Sequence, residues 1–148
     1  MSTRKSLAFQ TTLRVRDHCL CLAAQRAARS LARRFDEAFR PLGLTSGQFS
    51  LLMSLNRETP PPMGAVASLL AMDRTTLTAN LKPLVKRRLV QVVVDPDDRR
   101  GRLLKLTSAG HALLTSAVPI WERTHVEVER ALAVGDAEAL RAGLRALA

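Results

Sequence analysis

Between Asp73 and Thr107 the sequence gathers side chains suited to holding and reading a polyanion. Arg74, Thr75, Thr76, Thr78, Ala79 and Asn80 fall in RTTLTAN, a set that offers a guanidinium fork, hydroxyls, a carboxamide and a methyl group. Such groups bond to base edges: a carboxamide like that of Asn80 matches adenine, and a guanidinium like that of Arg74 matches guanine or a phosphate. Lys82, Lys86 and Arg87 follow, and Arg99, Arg100 and Arg102 cluster in DPDDRRGR; cations placed this way neutralise phosphates and set affinity without reading sequence. Across the stretch nine Lys and Arg stand against four Asp, so +5 of the chain's net +10 falls on it.

Catalytic chemistry finds no such concentration. His18, His111 and His125 are scattered, and the sequence holds no Ser, His and Asp arrangement, phosphate-cradling glycine loop or Walker motif. Glu127 and Glu129 stand two apart, which on a helix sends them to different faces. His18, Cys19 and Cys21 raise the question of a metal, but the C-x2-C knuckle is missing and one helical turn presents only His18 and Cys21 on the same side. No enzyme activity, metal or cofactor is expected. The two thiols keep one chemical role, oxidation, because Arg14, Arg16 and His18 put positive charge beside them. On a helix their side chains diverge, so oxidation would give a sulfenic acid, a mixed disulfide or an intersubunit bridge. The competing reading makes Cys19 and Cys21 small packing residues.

These side chains need elements to hold them. Leu77, Leu81, Leu84 and Val85 recur at helical spacing in DRTTLTANLKPLVKRRLV and predict a helix with one buried stripe, the threonines and Asn80 lying on its wet faces. Pro83 predicts a modest kink beyond the reading end. QVVVDPDDRRGRLLKLT reads as two short strands around a tip of Pro, Asp, Arg and Gly. Residues 63–71 predict a short helix with Val66, Leu69 and Leu70 buried. Two helices joined by a turn and followed by a basic hairpin make a winged helix-turn-helix.

Upstream, Thr45 and Gln48 have capping-box spacing and open a helix of Phe49, Leu51, Leu52 and Leu55 that ends near Arg57, before prolines 60–62 stiffen a connection. Residues 1–12 are expected to be frayed, with Asp17 as N-cap of a helix to about Arg40 whose apolar positions are Leu20, Ala24, Ala27, Leu31, Phe35 and Phe39. Arg26, Arg29, Arg33 and Arg34 are expected on its solvated face, with an auxiliary phosphate or partner-acid contact as the alternative, and Pro41 and Gly43 stop it. Thr107 should cap a long helix through Leu132, bent at Pro119, and Asp136 should begin a last one. This C-terminal part has five acids against four bases, and its Leu- and Ala-rich faces fit a dimer interface.

Length and composition bound the rest. At 148 residues the chain is expected to be one domain, 47% hydrophobic but only 3% aromatic with no Tyr, which calls for an aliphatic core of packed helices. No apolar run approaches the roughly 18 residues of a membrane span and no signal-peptide h-region opens the chain, so the expected location is the cytoplasm.

The helix RTTLTANLKPL, the wing DPDDRR and LTSAG opening a long helix together resemble the MarR family of dimeric bacterial transcription regulators, from about residue 17 to the C-terminus. The resemblance rests most on Asp98 and Arg100 in the wing, with Leu106 and Thr107 following. It implies a mainly α fold with a small β-wing: dimerisation helices at about 17–40 and 108–148 around a DNA-binding lobe at about 45–107. The implied function is a repressor that binds a pseudo-palindromic operator as a homodimer and is released by a small aromatic ligand or an oxidant. Arg100 would enter the minor groove with Arg99 and Arg102 beside it, braced by Asp98. Similar proteins commonly carry Gly where Ala71 and Arg88 stand, and the peroxide-sensing OhrR branch places its reactive cysteine where Cys21 falls, although this chain lacks the tyrosines of that branch. The rival reading is an architectural protein that coats nucleic acid without sequence choice.

Overall fold

The computed structural model describes residues 7–132 and 135–148. Along the chain run α1 (Phe9–His18), α2 (Leu20–Phe39), a 3-10 turn (Arg40–Leu42), α3 (Ser46–Ser54), α4 (Met63–Leu69), α5 (Arg74–Lys86), β1 (Val90–Val94), β2 (Arg102–Leu106), α6 (Ser108–Arg130) and α7 (Ala137–Arg145). The fold is mainly α with one small antiparallel sheet, in which Val90 pairs with Leu106 and Val94 with Arg102. Pro61 and Pro62 lie along the free edge of β2: the Leu104 N–H donates to the Pro61 carbonyl at 2.9 Å, and Pro62 bridges Leu103. Proline accepts but cannot donate, so the stiff connection closes that edge without extending the ladder.

Local chemistry starts α3, α5, α6 and α7 as the sequence predicts. Thr45 and Gln48 form a reciprocal capping box on α3, Asp73 accepts the Thr76 N–H at 2.7 Å, and the Thr107 hydroxyl accepts the Gly110 N–H at 3.0 Å. Asp136 caps α7 through the Glu138 N–H. Three connections end in the same closure, a left-handed residue whose N–H and the next N–H turn back onto the helix. Gly43 occupies it after the 3-10 turn, Ala71 (φ 51°) after α4 and Arg88 (φ 58°) after α5. The last two are not glycine, so the left-handed φ strains the backbone at both.

The core is aliphatic around one aromatic pair, Phe39 stacked on Phe49 with centroids 4.7 Å apart. Leu51, Leu52, Leu77, Leu84 and Leu104 are fully buried with them, joining α3, α5 and the wing. At 2–5 kcal/mol for a typical large-to-alanine change, roughly, any of these leucines matters to a marginally stable domain. Gly110 decides how α6 meets this core: a Cβ there would lie 2.3 Å from the Leu89 carbonyl oxygen.

Several expectations need correction. No single helix starts at Asp17: α1 already begins at Phe9 and ends at His18, and α2 begins after a break at Cys19. Apolar residues at Phe9 and Leu13 extend the helical pattern into a stretch expected to be frayed, of which residues 1–6 lie outside the described ones. Asp17 bonds the Arg16 guanidinium in the last turn of α1, and the N-cap of α2 is Cys19. Helix α3 stops at Ser54, short of Arg57. Leu69 and Val85, expected in the core, are 59% and 40% exposed; Ala67 is buried in α4 instead. Of the apolar positions named on α2 only Phe39 is buried, and Leu20 is 71% exposed.

Glycine at either strained closure should stabilise the protein: A71G and R88G are each expected to gain about 1 kcal/mol in urea unfolding by relieving the left-handed penalty. G110A should do the opposite, costing about 1–3 kcal/mol or more, because the added methyl forces α6 away from Leu89.

Candidate nucleic-acid interface

Helix α5 presents the predicted reading residues together. With Leu77, Leu81 and Leu84 turned into the core, Arg74, Thr75, Thr76, Thr78, Ala79, Asn80 and Lys82 are all exposed. Two of the polar side chains are partly engaged: the Thr78 hydroxyl donates to the Arg74 carbonyl at 2.8 Å, and the Asn80 carboxamide donates to the Thr76 carbonyl at 2.9 Å. Each keeps an oxygen free to accept, and Asn80 keeps a second N–H to donate. Arg74, Lys82 and Lys86 have no side-chain partner among the described residues, so their full charge faces solvent. Pro83 sits within α5, which continues past it to Lys86.

Asp73 sets the start of this helix, and its carboxyl is held below the ordinary carboxylate range, chiefly by the hydrogen bond from the Thr76 backbone N–H. A negative cap also suits the positive end of a helix.

The hairpin tip is organised by acids. Asp95 Oδ1 accepts the Asp97 N–H at 2.9 Å, and Asp98 Oδ1 accepts the backbone N–H of Arg100 at 3.0 Å. The Gly101 N–H closes the turn on the Asp98 carbonyl at 2.8 Å. Asp98 therefore grips the backbone of Arg100 and leaves its guanidinium free. Arg102 differs: its Nη1 donates to the carbonyls of Arg99 and Gly101, which ties it into the turn. Arg87 is also occupied, donating to the carbonyls of Gly43 at 2.8 Å and Leu42 at 3.4 Å. Of the predicted cations Arg74, Lys82, Lys86, Arg99 and Arg100 are thus left without a side-chain partner among the described residues, while Arg87 and Arg102 are turned onto the backbone.

With this geometry the chain can be set beside known proteins. The MarR family profile matches residues 42–101. A transcriptional regulator of M. tuberculosis, MosR, solved in complex with DNA, is 37% identical over 88% of this chain and 93% of its own, with a TM-score of 0.77. The chain belongs to the MarR family. A cysteine-to-serine mutant of E. coli MarR, complexed with operator DNA, superposes with a TM-score of 0.80 at 25% identity, covering 91% of this chain and 97% of that one. The repressor NicR of Pseudomonas putida is 37% identical over 76 residues, 51% of this chain. The chain spans about half the length of the curated relatives it matches, 48% in the case of NicR.

Other candidate residues of this MarR family member lie away from the wing. Cys19 Sγ accepts the Leu22 N–H at 3.4 Å as the cap of α2, and Cys21, in the first turn, receives a hydrogen bond from Gln25 at 3.3 Å. His18 turns back onto the Arg14 carbonyl, and no three metal-ligating side chains converge among the described residues. On the Arg-rich face of α2, Arg34 pairs with Glu127 of α6 at 3.2 Å while Arg26, Arg29 and Arg33 are exposed. An apolar cleft of about 460 Å³ opens between α3, α4 and α6, lined by Phe49, Met53, Leu69, Leu70, Val118 and Trp121. Among the described residues no helix is long and apolar enough to cross a membrane.

Sequence reasoning missed two supporting residues. Asp36 reaches from α2 to accept the Ser46 N–H at 2.6 Å, a second cap on α3 that no local spacing reveals. Gly110 was legible only as part of LTSAG, and its three-residue spacing from the capping Thr107 is the signal that marks it.

The depressed Asp73 carboxyl gives a pH dependence with a definite sign. Its stabilisation is present above the unfolded-state carboxylate range and is lost as pH falls through the lower folded value. D73N, which can still cap but cannot ionise, should flatten this part of the stability-versus-pH curve between neutral and acid pH, as read by thermal melting.

Proposed function

We propose that the chain is a homodimeric DNA-binding transcriptional regulator, a repressor that acts in the cytoplasm on a pseudo-palindromic operator. The observation that carries this reading is the free polar face of α5 beside a hairpin tip that holds Arg100 by its backbone and leaves its guanidinium unpaired. The DNA complexes of MosR and MarR, similar along most of this chain, support it. Under this reading Thr75, Thr76, Thr78, Ala79 and Asn80 meet base edges in the major groove, and Arg74 bonds guanine or phosphate. Lys82, Lys86 and Arg99 contact phosphates, and Arg100 enters the minor groove. Asp98 braces Arg100 through its backbone, and Arg102 stiffens the same turn.

A second copy of the chain supplies what the monomer lacks. Leu7, Phe9 and Leu20 at one end and Leu140, Leu144 and Leu147 at the other are between 48% and 76% exposed. Segments 17–40 and 108–148 serve as the dimer base, with α1 added to it, and 45–107 is the DNA-binding lobe. In a two-fold dimer the α5 helices then reach successive major grooves about 34 Å apart.

Release by a signal has two candidate sites. The apolar cleft under Trp121 suits a small aromatic ligand, since it lies where α6 of the base meets α3 and α4 of the lobe. Cys21, exposed in the first turn of α2, suits an oxidant, with Cys19 capping the same helix.

Selection of duplexes from a random pool should return a dyad-symmetric site. Titration of that duplex and a random one between about 50 and 200 mM salt should keep them apart; equal affinities would favour an architectural coat, because phosphate neutralisation alone does not discriminate. R100A should weaken binding to the selected duplex by about 1–3 kcal/mol with helicity unchanged.

Trp121 is the chain's one tryptophan, so a small aromatic ligand entering the cleft should change its fluorescence. If peroxide is the signal, wild type should release the selected duplex after mild oxidation, C21S should retain it, and reductant should restore wild-type binding. Equal retention by both proteins would make the cysteines packing residues.

A further inference from the structure

Arg87 sits in a run of three cations, Lys86, Arg87 and Arg88, at the end of α5, yet its guanidinium points back across the fold. It donates from Nη1 to the Gly43 carbonyl at 2.8 Å and from Nη2 to the Leu42 carbonyl at 3.4 Å, two groups 44 and 45 residues away in sequence. Those carbonyls belong to the closure that ends α2 and its 3-10 turn. There Gly43 is left-handed (φ 61°), its N–H returns to the Arg40 carbonyl, and the Leu44 N–H returns to that of Phe39. The closure uses the carbonyls of residues 39 and 40 and, among the described residues, leaves those of 42 and 43 without a backbone donor near the negative end of the helix. A guanidinium fork meets both at once and complements that end, which a lysine cannot do with two donors in one plane.

We infer that Arg87 is a positioning residue that fixes the angle between the α2 helix and the DNA-reading helix α5, and is not one of the phosphate contacts. The inference rests on the DNA-binding reading above and adds to it the element that orients the lobe. Its neighbours leave this role to it: Lys86 has no partner among the described residues, and Arg88 supplies the strained closure of α5. In a dimer whose base includes α2, a loose joint at Leu42 and Gly43 lets each lobe swing, and the two half-sites are no longer met at one spacing.

The test uses full-length wild type, R87A and R87K on the duplex selected by wild type and on a duplex carrying one half-site. R87A should lose about tenfold in affinity for the paired site, equivalent to about 1.4 kcal/mol, while affinity for the single half-site stays within about twofold. The slope of log affinity against log salt should be unchanged, because no released counterion is lost. R87K, which keeps the charge but not the fork, should fall close to R87A. A phosphate contact would act otherwise: R87A would flatten the slope by about 0.9, weaken both duplexes alike, and be rescued by R87K. That pattern overturns the inference, and so does an R87A protein that no longer unfolds cooperatively, since Arg87 would then hold the fold and not the angle. A spin label at T75C in the C19S/C21S background reads the lobe-to-lobe distance without DNA. Its distribution should broaden in R87A, and an unchanged distribution overturns the inference even if wild type selects no duplex.

Discussion

The carbonyl oxygen of Leu89 is the point on which the lobe depends. It accepts the Thr107 N–H at 3.1 Å and lies 3.1 Å from the Thr107 hydroxyl, which also donates to the Arg88 carbonyl at 2.8 Å. The same hydroxyl oxygen accepts the Gly110 N–H that begins α6. One threonine thus ties the end of α5, the base of the hairpin and the start of α6. The tie closes only because residue 110 has no Cβ. Arg88 turns left-handed immediately before this carbonyl, so the strain stored at φ 58° is held by the bonds that follow it.

Charge in this protein is divided by what the backbone needs. Helix ends and turns leave carbonyls without partners, and arginines nearby are drawn to them: Arg87 to Leu42 and Gly43, Arg102 to Arg99 and Gly101. Acids do the same for unpaired N–H groups at the tip, where Asp95 and Asp98 sit among basic neighbours without forming ion pairs among the described residues. The cations left over, on α5 and on the wing, are those free to meet an outside anion. Net charge alone overstates that number, since a guanidinium already bonded to carbonyls keeps its charge but has spent its directional donors.

The terminal helices show the reverse situation, apolar surface without a partner among the described residues. Helix α7 is held to α6 by Arg141, which bonds Glu129 at 2.7 Å and Glu138 at 3.0 Å. These hydrogen bonds raise the Arg141 guanidinium above its ordinary range, that to Glu129 first, and the Glu138 carboxyl is lowered chiefly by Arg145. Exposed pairs of this kind orient a helix more than they stabilise it. The leucines they orient, Leu140 and Leu144, are each 48% exposed, which is the arrangement the proposed dimer would cover.

What short-range physics controls was legible in the order of residues. Capping at Thr45, Asp73, Thr107 and Asp136, the stripe of Leu77, Leu81 and Leu84, and the hairpin between Val94 and Arg102 all follow from groups within four residues or from one periodic face. The family resemblance put glycine where Ala71 and Arg88 stand, which left open a strained backbone or a different turn; both residues are left-handed. Position 85 shows where the pattern fails: Val85 has the right type and spacing for the core, but it lies at the edge of the buried stripe and is 40% exposed. It took the folded chain to show that α1 precedes α2 with a break at Cys19, that Asp36 caps a helix ten residues away, and that Arg87 donates to the carbonyls of Leu42 and Gly43. In the last two cases the reason is the same. A side chain's partner is an unsatisfied backbone group brought close by packing, and distance along the chain carries no trace of that proximity.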